Sequence, residues 1–280
     1  MERLQSLTEL TEWRLNHVLE HCNLAFVPTM GALHTGHLSL IDLARKHASK
    51  VVVSIFVNPT QFAAHEDFGD YPRTLDDDLA ACERLGVDAV WIPRETDIYP
   101  EGVENVTKIM MPTELTQILC GVTRPHFFDG VATVVYRLFN ALNPQIAVFG
   151  EKDFQQLSIL KQMVETHDLG ITLIGAPIIR EPDGLALSSR NRYLSAAERV
   201  HATQLYTGLM AAQTLFASGE RSVSVLTNTV RDACTDLKVD YCEIVDPITL
   251  RGKAHCDKTD RLCAAVYCGK TRLIDNLRLS

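Results

Sequence analysis

The chain lacks the features that would indicate a membrane or secreted protein. No apolar run approaches the roughly 18–20 residues of a membrane-spanning helix, and the opening residues, Met1 to Gln5, lack the apolar core of a secretory signal. A basic excess is also missing, because 27 Lys and Arg against 35 Asp and Glu leave a net charge of −8. Such a surface does not favour sequence-independent binding to nucleic acid or to anionic membranes. We therefore expect a cytoplasmic protein with neither partner.

Cysteine motifs for metal binding are absent as well. The eight cysteines include no C-x-x-C pair, and the nearest cluster (His255, Cys256, Cys263 and Cys268) lacks the ligand spacing of a zinc site. Cys263 and Cys268 flank an apolar run, where a free cysteine behaves as a small buried hydrophobe. The sequence predicts no tightly bound cofactor.

Strand and helix patterns alternate over the first 180 residues. Helices are expected at 6–21, 36–48, 75–85, 127–142 and 153–166, and strands at 24–27, 51–57, 89–92, 145–149, 171–174 and 177–180. This alternation predicts a doubly wound, Rossmann-like parallel sheet of the α/β class. After a turn-rich break at 180–184, helices near 195–218 and 222–237 precede strands near 239–246 and 262–268. We expect a larger domain, 1–178, and a smaller α+β domain, 179–280.

The loop between the first buried strand and the first crossover helix contains an H-x-G-H motif. His34 and His37 are three residues apart, which places both imidazoles on one side of a helix start. Free backbone N–H groups and the helix dipole attract phosphate there, and two imidazoles would add donors as charge moves to a leaving pyrophosphate. Gly36 would let a flat base lie against the backbone. The alternative is two histidines beside a helix cap, but composition predicts only about 0.02 such motifs by chance.

Two further segments have the composition of a phosphate site. Lys152 and Asp153 follow the predicted strand 145–149, so they could neutralise a phosphate and accept ribose hydroxyls. Asp153 with Gln156 also has capping-box spacing, which would explain it structurally. Ser188, Ser189 and Arg190 combine hydroxyl donors with a guanidinium group, although alone they are no more than a polar helix start.

Gln61 and an acidic run complete the candidate residues. Gln61 follows the most apolar strand and offers both a donor and an acceptor to a small hydroxylated substrate. Asp76, Asp77 and Asp78 occupy one helix start, where acids usually complement the helix dipole. Asp77 and Asp78 are kept as candidate magnesium ligands.

The chain closely resembles the pantothenate synthetase (pantoate–β-alanine ligase) family, within the wider group of H-x-G-H nucleotidyl-transferring proteins. The resemblance runs from about residue 24 to the C-terminus. It rests on separated motifs: Pro28 to His37, Phe56 to Pro59 with Gln61 and Phe62, Tyr71 to Thr74, Phe149 to Leu157, Leu185 to Tyr193, and Arg272 to Asn276. H-x-G-H alone would support only the wider group.

The resemblance implies that pantoate, β-alanine and ATP, with Mg²⁺ accompanying ATP, give pantothenate, AMP and pyrophosphate. The pantoate carboxylate would attack the α-phosphate, and the β-alanine amine would then attack the pantoyl-adenylate and expel AMP. The second domain would act as a lid that excludes water. The family is usually a homodimer through its larger domain.

The resemblance also implies residue roles. His37, His34 and Lys152 would be catalytic, with His37 the proton donor, while Gln61, Gln156 and Met30 would bind the substrate. Ile179 would lie near adenine, and the backbone of Met30 would close over the reacting phosphate. ATP would be contacted by Met30, Gly31, His34, Gly36, His37, Gly150, Lys152, Asp153, Ile179, Leu187, Ser188, Ser189 and Arg190.

One segment departs from the family pattern. The family usually reads Arg-Pro-Gly-His-Phe-x-Gly-Val, whereas this chain has His126 at the glycine position and Phe127 at the histidine position. The departure puts the shape of this wall of the pocket in question, and it removes an imidazole.

Three alternatives to a ligase are considered. An adenylyltransferase would leave AMP attached to its product and would need no amine acceptor. A class I tRNA synthetase is disfavoured by the negative charge and by the lack of an anticodon-binding extension. A nucleotide-binding regulatory protein that has lost turnover is motivated only by the altered segment at 124–131.

Overall fold

The computed structural model describes residues 1–18, 22–62, 69 and 71–280. The helices are α1 (Leu7–His17), α2 (Thr35–His47), α3 (Leu75–Arg84), α4 (Glu95–Ile98), α5 (Thr113–Thr116), α6 (Cys120–Thr123), α7 (Phe127–Leu142), α8 (Phe154–Thr166), α9 (Ala196–Ala217) and α10 (Val223–Ala233). Short 3-10 helices span Pro59–Gln61, Val103–Asn105, Glu151–Asp153 and Ser189–Tyr193. The described helices include none that is long and apolar enough to cross a membrane.

The strands form one parallel sheet and one antiparallel sheet. The strands are β1 (Glu2–Leu4), β2 (Leu24–Thr29), β3 (Lys50–Ile55), β4 (Ala89–Trp91), β5 (Ile146–Gly150), β6 (Thr172–Ala176), β7 (Lys238–Val245), β8 (Arg261–Cys268) and β9 (Thr271–Arg278). The first six pair in parallel in the order β1-β4-β3-β2-β5-β6. Helices flank this sheet, and Val51 to Val53 of β3 are fully buried, as a strand covered on both faces requires. The predicted α/β class is confirmed.

Some predicted elements differ from the structure. The strand expected at 177–180 was wrong: β6 ends at Ala176, Pro177 follows, and Arg180 makes only an isolated bridge to Ala186. Proline has no N–H for a ladder, so it ends the strand here. The first helix ends at His17, and the rest of its predicted span includes residues 19–21, outside the described residues. Strands β1 and β9 were not predicted.

The chain divides into two compact units. The larger unit comprises Met1–Pro112, Arg124–Glu151 and Ile159–Pro177. The smaller comprises Thr113–Thr123, Lys152–Ser158 and Ile178–Ser280, so two short segments from earlier in the chain group with the C-terminal part. In the smaller unit, β7, β8 and β9 form the antiparallel sheet, and α9 and α10 share its buried core.

The segment before α7 adopts an unusual backbone for its sequence. His126 has a φ of +66°, the left-handed conformation that glycine adopts most easily, and its side chain is exposed. Its Nδ1 lies 3.9 Å from the buried carboxylate of Asp129, which accepts the backbone N–H of Met111. His126 thus has a glycine-type backbone at the position where the resemblance leads us to expect glycine.

We predict that His126→Gly raises the free energy of unfolding by about 0.5–1 kcal/mol, because it removes left-handed strain at the cost of one exposed contact. Urea unfolding followed by circular dichroism measures the difference. His255→Gly is the matched control. His255 is exposed and has no left-handed backbone, so the same substitution there should lower stability. Equal effects at both positions would contradict the explanation.

Candidate active site

The topology of the parallel sheet places one loop at its switch point. Strand β2 is central: β3 and β4 lie on one side of it, and β5 and β6 on the other. In open α/β sheets, ligands bind beyond the carboxyl ends of strands where the direction of winding reverses. The chain leaves β2 at Thr29 and enters α2 at Thr35, so the H-x-G-H loop lies there. Gly150 ends the neighbouring strand β5.

The structure brings the two histidines together. Their ring centroids are 4.1 Å apart, and the planes are inclined by 37°. His34 caps α2, and its Nδ1 accepts the N–H of Gly36 at 3.1 Å. The Nδ1 of His37 accepts the N–H of His34 at 3.4 Å. Both rings are half-buried.

These hydrogen bonds determine the tautomer of both rings. A nitrogen that accepts an N–H carries no proton, so each neutral imidazole has its proton on Nε2. In each neutral ring, Nε2 is therefore the nitrogen that can donate a hydrogen bond. The expectation of free backbone donors is corrected in part, because the N–H groups of His34 and Gly36 are used by the rings.

A buried carboxylate holds the loop that precedes the histidines. The Oδ2 of Asp78 accepts the N–H of Ala32 at 2.9 Å, and its Oδ1 accepts the N–H of Leu33 at 2.8 Å. The hydroxyl of Thr74 also donates to Oδ1, at 3.1 Å. Thr29 closes the other end of the loop, because its hydroxyl accepts the N–H of Gly31 and donates to the carbonyl of Ser54.

The two candidate magnesium ligands, Asp77 and Asp78, differ in their surroundings. Asp78 does not fit a direct metal ligand, because both of its oxygens accept hydrogen bonds and the residue is buried. Asp77 is exposed. In the described part of the chain, no three His, Cys, Asp or Glu side chains group as a metal site.

Gln61 lies on a short 3-10 helix that a polar network positions. The buried Asn58 caps this helix and accepts the hydroxyl proton of Tyr99 at 2.6 Å, and its amide donates to Thr60. Burial raises the pKa of Tyr99, so its hydroxyl stays protonated and can donate. Gly130 is required beside Thr60, since a Cβ there would overlap the main-chain oxygen of Thr60.

The altered segment at 124–131 contacts Gln61 directly. The guanidinium of Arg124 donates to the main-chain oxygen of Gln61 at 3.1 Å. Its carbon lies 3.6 Å from the ring centroid of Phe127, a cation–π contact. Phe127, which replaces the histidine of the family pattern, thus supports an arginine that holds the backbone of a predicted substrate ligand.

Lys152, Asp153 and Gln156 belong to the smaller unit. The amide of Asn276 donates to the main-chain oxygen of Lys152 at 3.0 Å, and the ammonium of Lys152 lies 3.8 Å from the carboxylate of Asp153. Gln156 is half-buried, whereas the neighbouring Gln155 is buried. The amide of Gln155 donates to the carbonyls of Leu115 and Ile118, so this glutamine is structural.

The remaining candidates lie on a turn of the smaller unit. Leu187 donates its N–H to the carbonyl of Ile179, which pairs two predicted ATP contacts. Ser188 caps the 3-10 helix that begins at Ser189, and its hydroxyl accepts the N–H of Arg190. Arg180 anchors the turn through a bidentate ion pair with the buried Asp275. Burial raises the pKa of Asp275, and Arg180 opposes that shift.

Sequence reasoning missed the residues that hold these groups in place. Asp78 was considered only as a metal ligand or dipole partner, and Asn276 only as part of a motif. Arg124 and Tyr99 were not considered as supports for the helix that carries Gln61. Tyr99 is 41 residues from Asn58, and Asn276 is 124 residues from Lys152, so local patterns could not reveal these contacts.

Comparisons with known proteins identify the family. The pantoate-beta-alanine ligase family model matches residues 2–278. Pantothenate synthetases of Geotalea daltonii and Fervidobacterium nodosum are 44% and 45% identical over 279 residues, covering 99% of this chain and 98% and 99% of theirs. The pantothenate synthetase structure from Thermus thermophilus superposes with a TM-score of 0.93 at 40% identity, covering 100% and 99% of the two chains.

A second solved structure is informative about ligands. The pantoate-beta-alanine ligase of Francisella tularensis, complexed with beta-gamma ATP and beta-alanine, has a TM-score of 0.82 at 35% identity. It covers 100% of this chain and 98% of its own. The chain therefore belongs to the pantoate–β-alanine ligase family.

Proposed function

We propose that this ligase condenses pantoate with β-alanine, with ATP as co-substrate, through a pantoyl-adenylate. The observation that carries the proposal is the pair of imidazoles, whose ring centroids lie 4.1 Å apart at the carboxyl end of the switch strand β2. Two donors side by side match the oxygens of adjacent phosphates better than they match a single small anion.

The first step forms the mixed anhydride. A pantoate carboxylate oxygen attacks the α-phosphorus, and the bond from that phosphorus to the bridging oxygen of pyrophosphate breaks. Negative charge develops on the departing pyrophosphate, where His34 and His37 donate hydrogen bonds. The resemblance names His37 as the proton donor, and in this geometry its neutral ring would share the Nε2 hydrogen with the leaving group as a hydrogen bond rather than transfer it. Because the backbone already fixes both rings, little reorganisation is needed as the charge moves.

The second step forms the amide. The amine of β-alanine attacks the acyl carbon, the carbon–oxygen bond to AMP breaks, and the amine loses a proton. Adenylation is needed because a free carboxylate is a poor electrophile with a poor leaving group.

Substrate and nucleotide contacts are assigned by the family resemblance. Gln61 and Gln156 would bind the pantoate hydroxyls and carboxylate, and the backbone of Met30 would close over the reacting phosphate. Lys152 would neutralise phosphate charge, and Asp153 would accept ribose hydroxyls. The other nucleotide contacts would be Gly31, Gly36, Gly150, Ile179, Leu187, Ser188, Ser189 and Arg190.

Mg²⁺ belongs to this proposal as part of the substrate. Magnesium usually keeps several waters and binds through substrate phosphates with one or two carboxylates. Since Asp78 is used by the loop, we propose that Mg²⁺ enters bound to ATP, where it offsets phosphate charge. We also propose, from the resemblance alone, a cytoplasmic homodimer formed through the larger unit, which light scattering on the purified protein would test.

The proposed reaction predicts a specific product pattern. With ATP, Mg²⁺, pantoate and β-alanine, the protein should release AMP and pyrophosphate in equal amounts, and omitting pantoate should abolish both. Coupled assays for each product make the measurement. ADP formation would contradict the ligase. A stable adenylylated product without amine would favour an adenylyltransferase, and ATP binding by calorimetry without any turnover would favour a regulatory protein.

His37→Ala should lower the rate of adenylation by about 10²–10³-fold, because it removes a preorganised donor to the leaving phosphate. Rapid-quench measurement of pyrophosphate release gives the rate. His47→Ala on the same helix is the matched control, since His47 is exposed in the last turn and should leave the rate unchanged. If both variants released pyrophosphate at a similar rate, His37 would have no role in the adenylation step.

Gln61→Ala should chiefly raise the KM for pantoate, because the side chain is assigned to substrate while Asn58 and Arg124 still hold its backbone. Steady-state kinetics with pantoate varied at saturating ATP measure KM and kcat separately. An unchanged KM for pantoate would mean that pantoate does not bind to the side chain of Gln61.

A further inference from the structure

The third acid of α3 differs from its two neighbours. Asp76 and Asp77 are exposed, as expected of acids that complement a helix dipole, whereas Asp78 is only 2% exposed. A buried carboxylate is costly unless hydrogen bonds satisfy it. Asp78 meets this requirement with two consecutive backbone N–H groups that lie 45 and 46 residues earlier in the chain.

These backbone groups belong to a strained loop. Gly31 and Ala32 have φ values of +81° and +50°, so two consecutive residues are left-handed. Alanine pays a steric cost in this conformation, which persists only where surrounding contacts enforce it. A Cβ on Gly31 would lie 3.0 Å from Asp78 Oδ2, so the carboxylate sits tightly against the turn.

The strained turn leads directly into the first histidine. Leu33, whose N–H donates to Asp78, immediately precedes His34. The N–H of His34 in turn donates to the ring of His37. A shift of the turn would therefore move the ring of His34 and one of the hydrogen bonds that orient His37.

We propose that Asp78 is a positioning residue, which acts through the N–H groups of Ala32 and Leu33 to set the placement and tautomer of the His34 and His37 imidazoles. The proposal for Asp78 rests on the proposed function only for its expected effect on kcat, since the imidazole geometry can be measured without turnover. The carboxylate is required rather than an amide, because both oxygens accept N–H donors and an amide nitrogen cannot.

Asp78→Asn is the principal test, with Asp76→Asn as the matched control. Asp76 lies in the same helical turn and loses the same charge, but it is exposed. Asp78→Asn should lower kcat for pyrophosphate release by about 10–100-fold, because small displacements of catalytic groups have effects of that size. The KM for pantoate should stay within about threefold, since Gln61 is held by other residues. Asp76→Asn should match the wild type.

Imidazole ¹⁵N spectra of the ligand-free protein provide the readout that a general loss of stability would not change. His34→Gln and His37→Gln variants assign the two rings. The wild type should show the Nε2–H tautomer for both, and Asp78→Asn should shift at least one ring toward a mixture of tautomers. If Asp78→Asn does not fold, Thr74→Val serves instead, because it removes one donor to the same carboxylate and should shift the same signals to a smaller extent.

Three outcomes would overturn the proposal. The first is that the folded Asp78→Asn variant has the same imidazole spectra as the wild type. The second is that its rate falls only in proportion to the fraction of protein that is folded. A rise of more than about tenfold in the Mg²⁺ concentration needed for half-maximal rate, with unchanged spectra, would make Asp78 a metal ligand instead. If the wild type released neither AMP nor pyrophosphate, the proposed function would fail while the spectra still tested the positioning.

Discussion

Two hydrogen bonds from backbone N–H groups to imidazole nitrogens underlie the chemistry proposed for this protein. In the proposed reaction, the start of α2 would offer two directed imidazole donors in addition to its diffuse positive potential. A helix start without side-chain donors can attract a phosphate, but its backbone N–H groups all point along the helix axis. In this proposal, the rings carry the donors beyond the backbone and hold them before any substrate arrives. Preorganised donors of this kind stabilise developing charge without a cost of reorientation.

The parallel sheet provides the place where such donors can be held. Strand β2 has buried neighbours on both edges, and the loop that leaves it must satisfy its polar groups internally. Thr29 and Ser54 at the ends of adjacent strands satisfy one side of the loop, and Asp78 satisfies the other. The loop can therefore adopt a left-handed turn that an isolated peptide of this sequence would avoid. The sheet thus holds the backbone of the few residues that precede the proposed catalytic histidines.

Much of this arrangement could be predicted from sequence, because it is local. A buried strand, a short loop and a helix start are consecutive in the chain, and the spacing of His34 and His37 alone places their rings together. The strand expected at 177–180 failed because apolar residues after Pro177 resemble a strand although they pair with no strand in the described sheet. Strand β9 was missed because its buried positions include Asp275 and Asn276, which break an apolar alternation. The sequence offered Asp78 only as a metal ligand or a dipole partner, since neither its burial nor its hydrogen-bond partners can be read from three acids in a row.

In the smaller unit, too, some residues are proposed to contact the substrates, and other residues fix the positions of those residues. Asn276 is buried on β9 and fixes the carbonyl of Lys152, while Asp275 beside it anchors Arg180 at the base of the turn that leads to Ser188. Asn276 and Asp275 can therefore affect the proposed site without contacting a substrate. A lysine has many rotamers, so fixing its main chain narrows where its ammonium can reach, while the side chain keeps the freedom that the proposed contact with a phosphate would require. The histidine rings are held by their own nitrogens, whereas Lys152 is held at its main-chain oxygen and its ammonium lies beside the exposed carboxylate of Asp153. The mode of anchoring thus matches what each proposed role demands of its side chain.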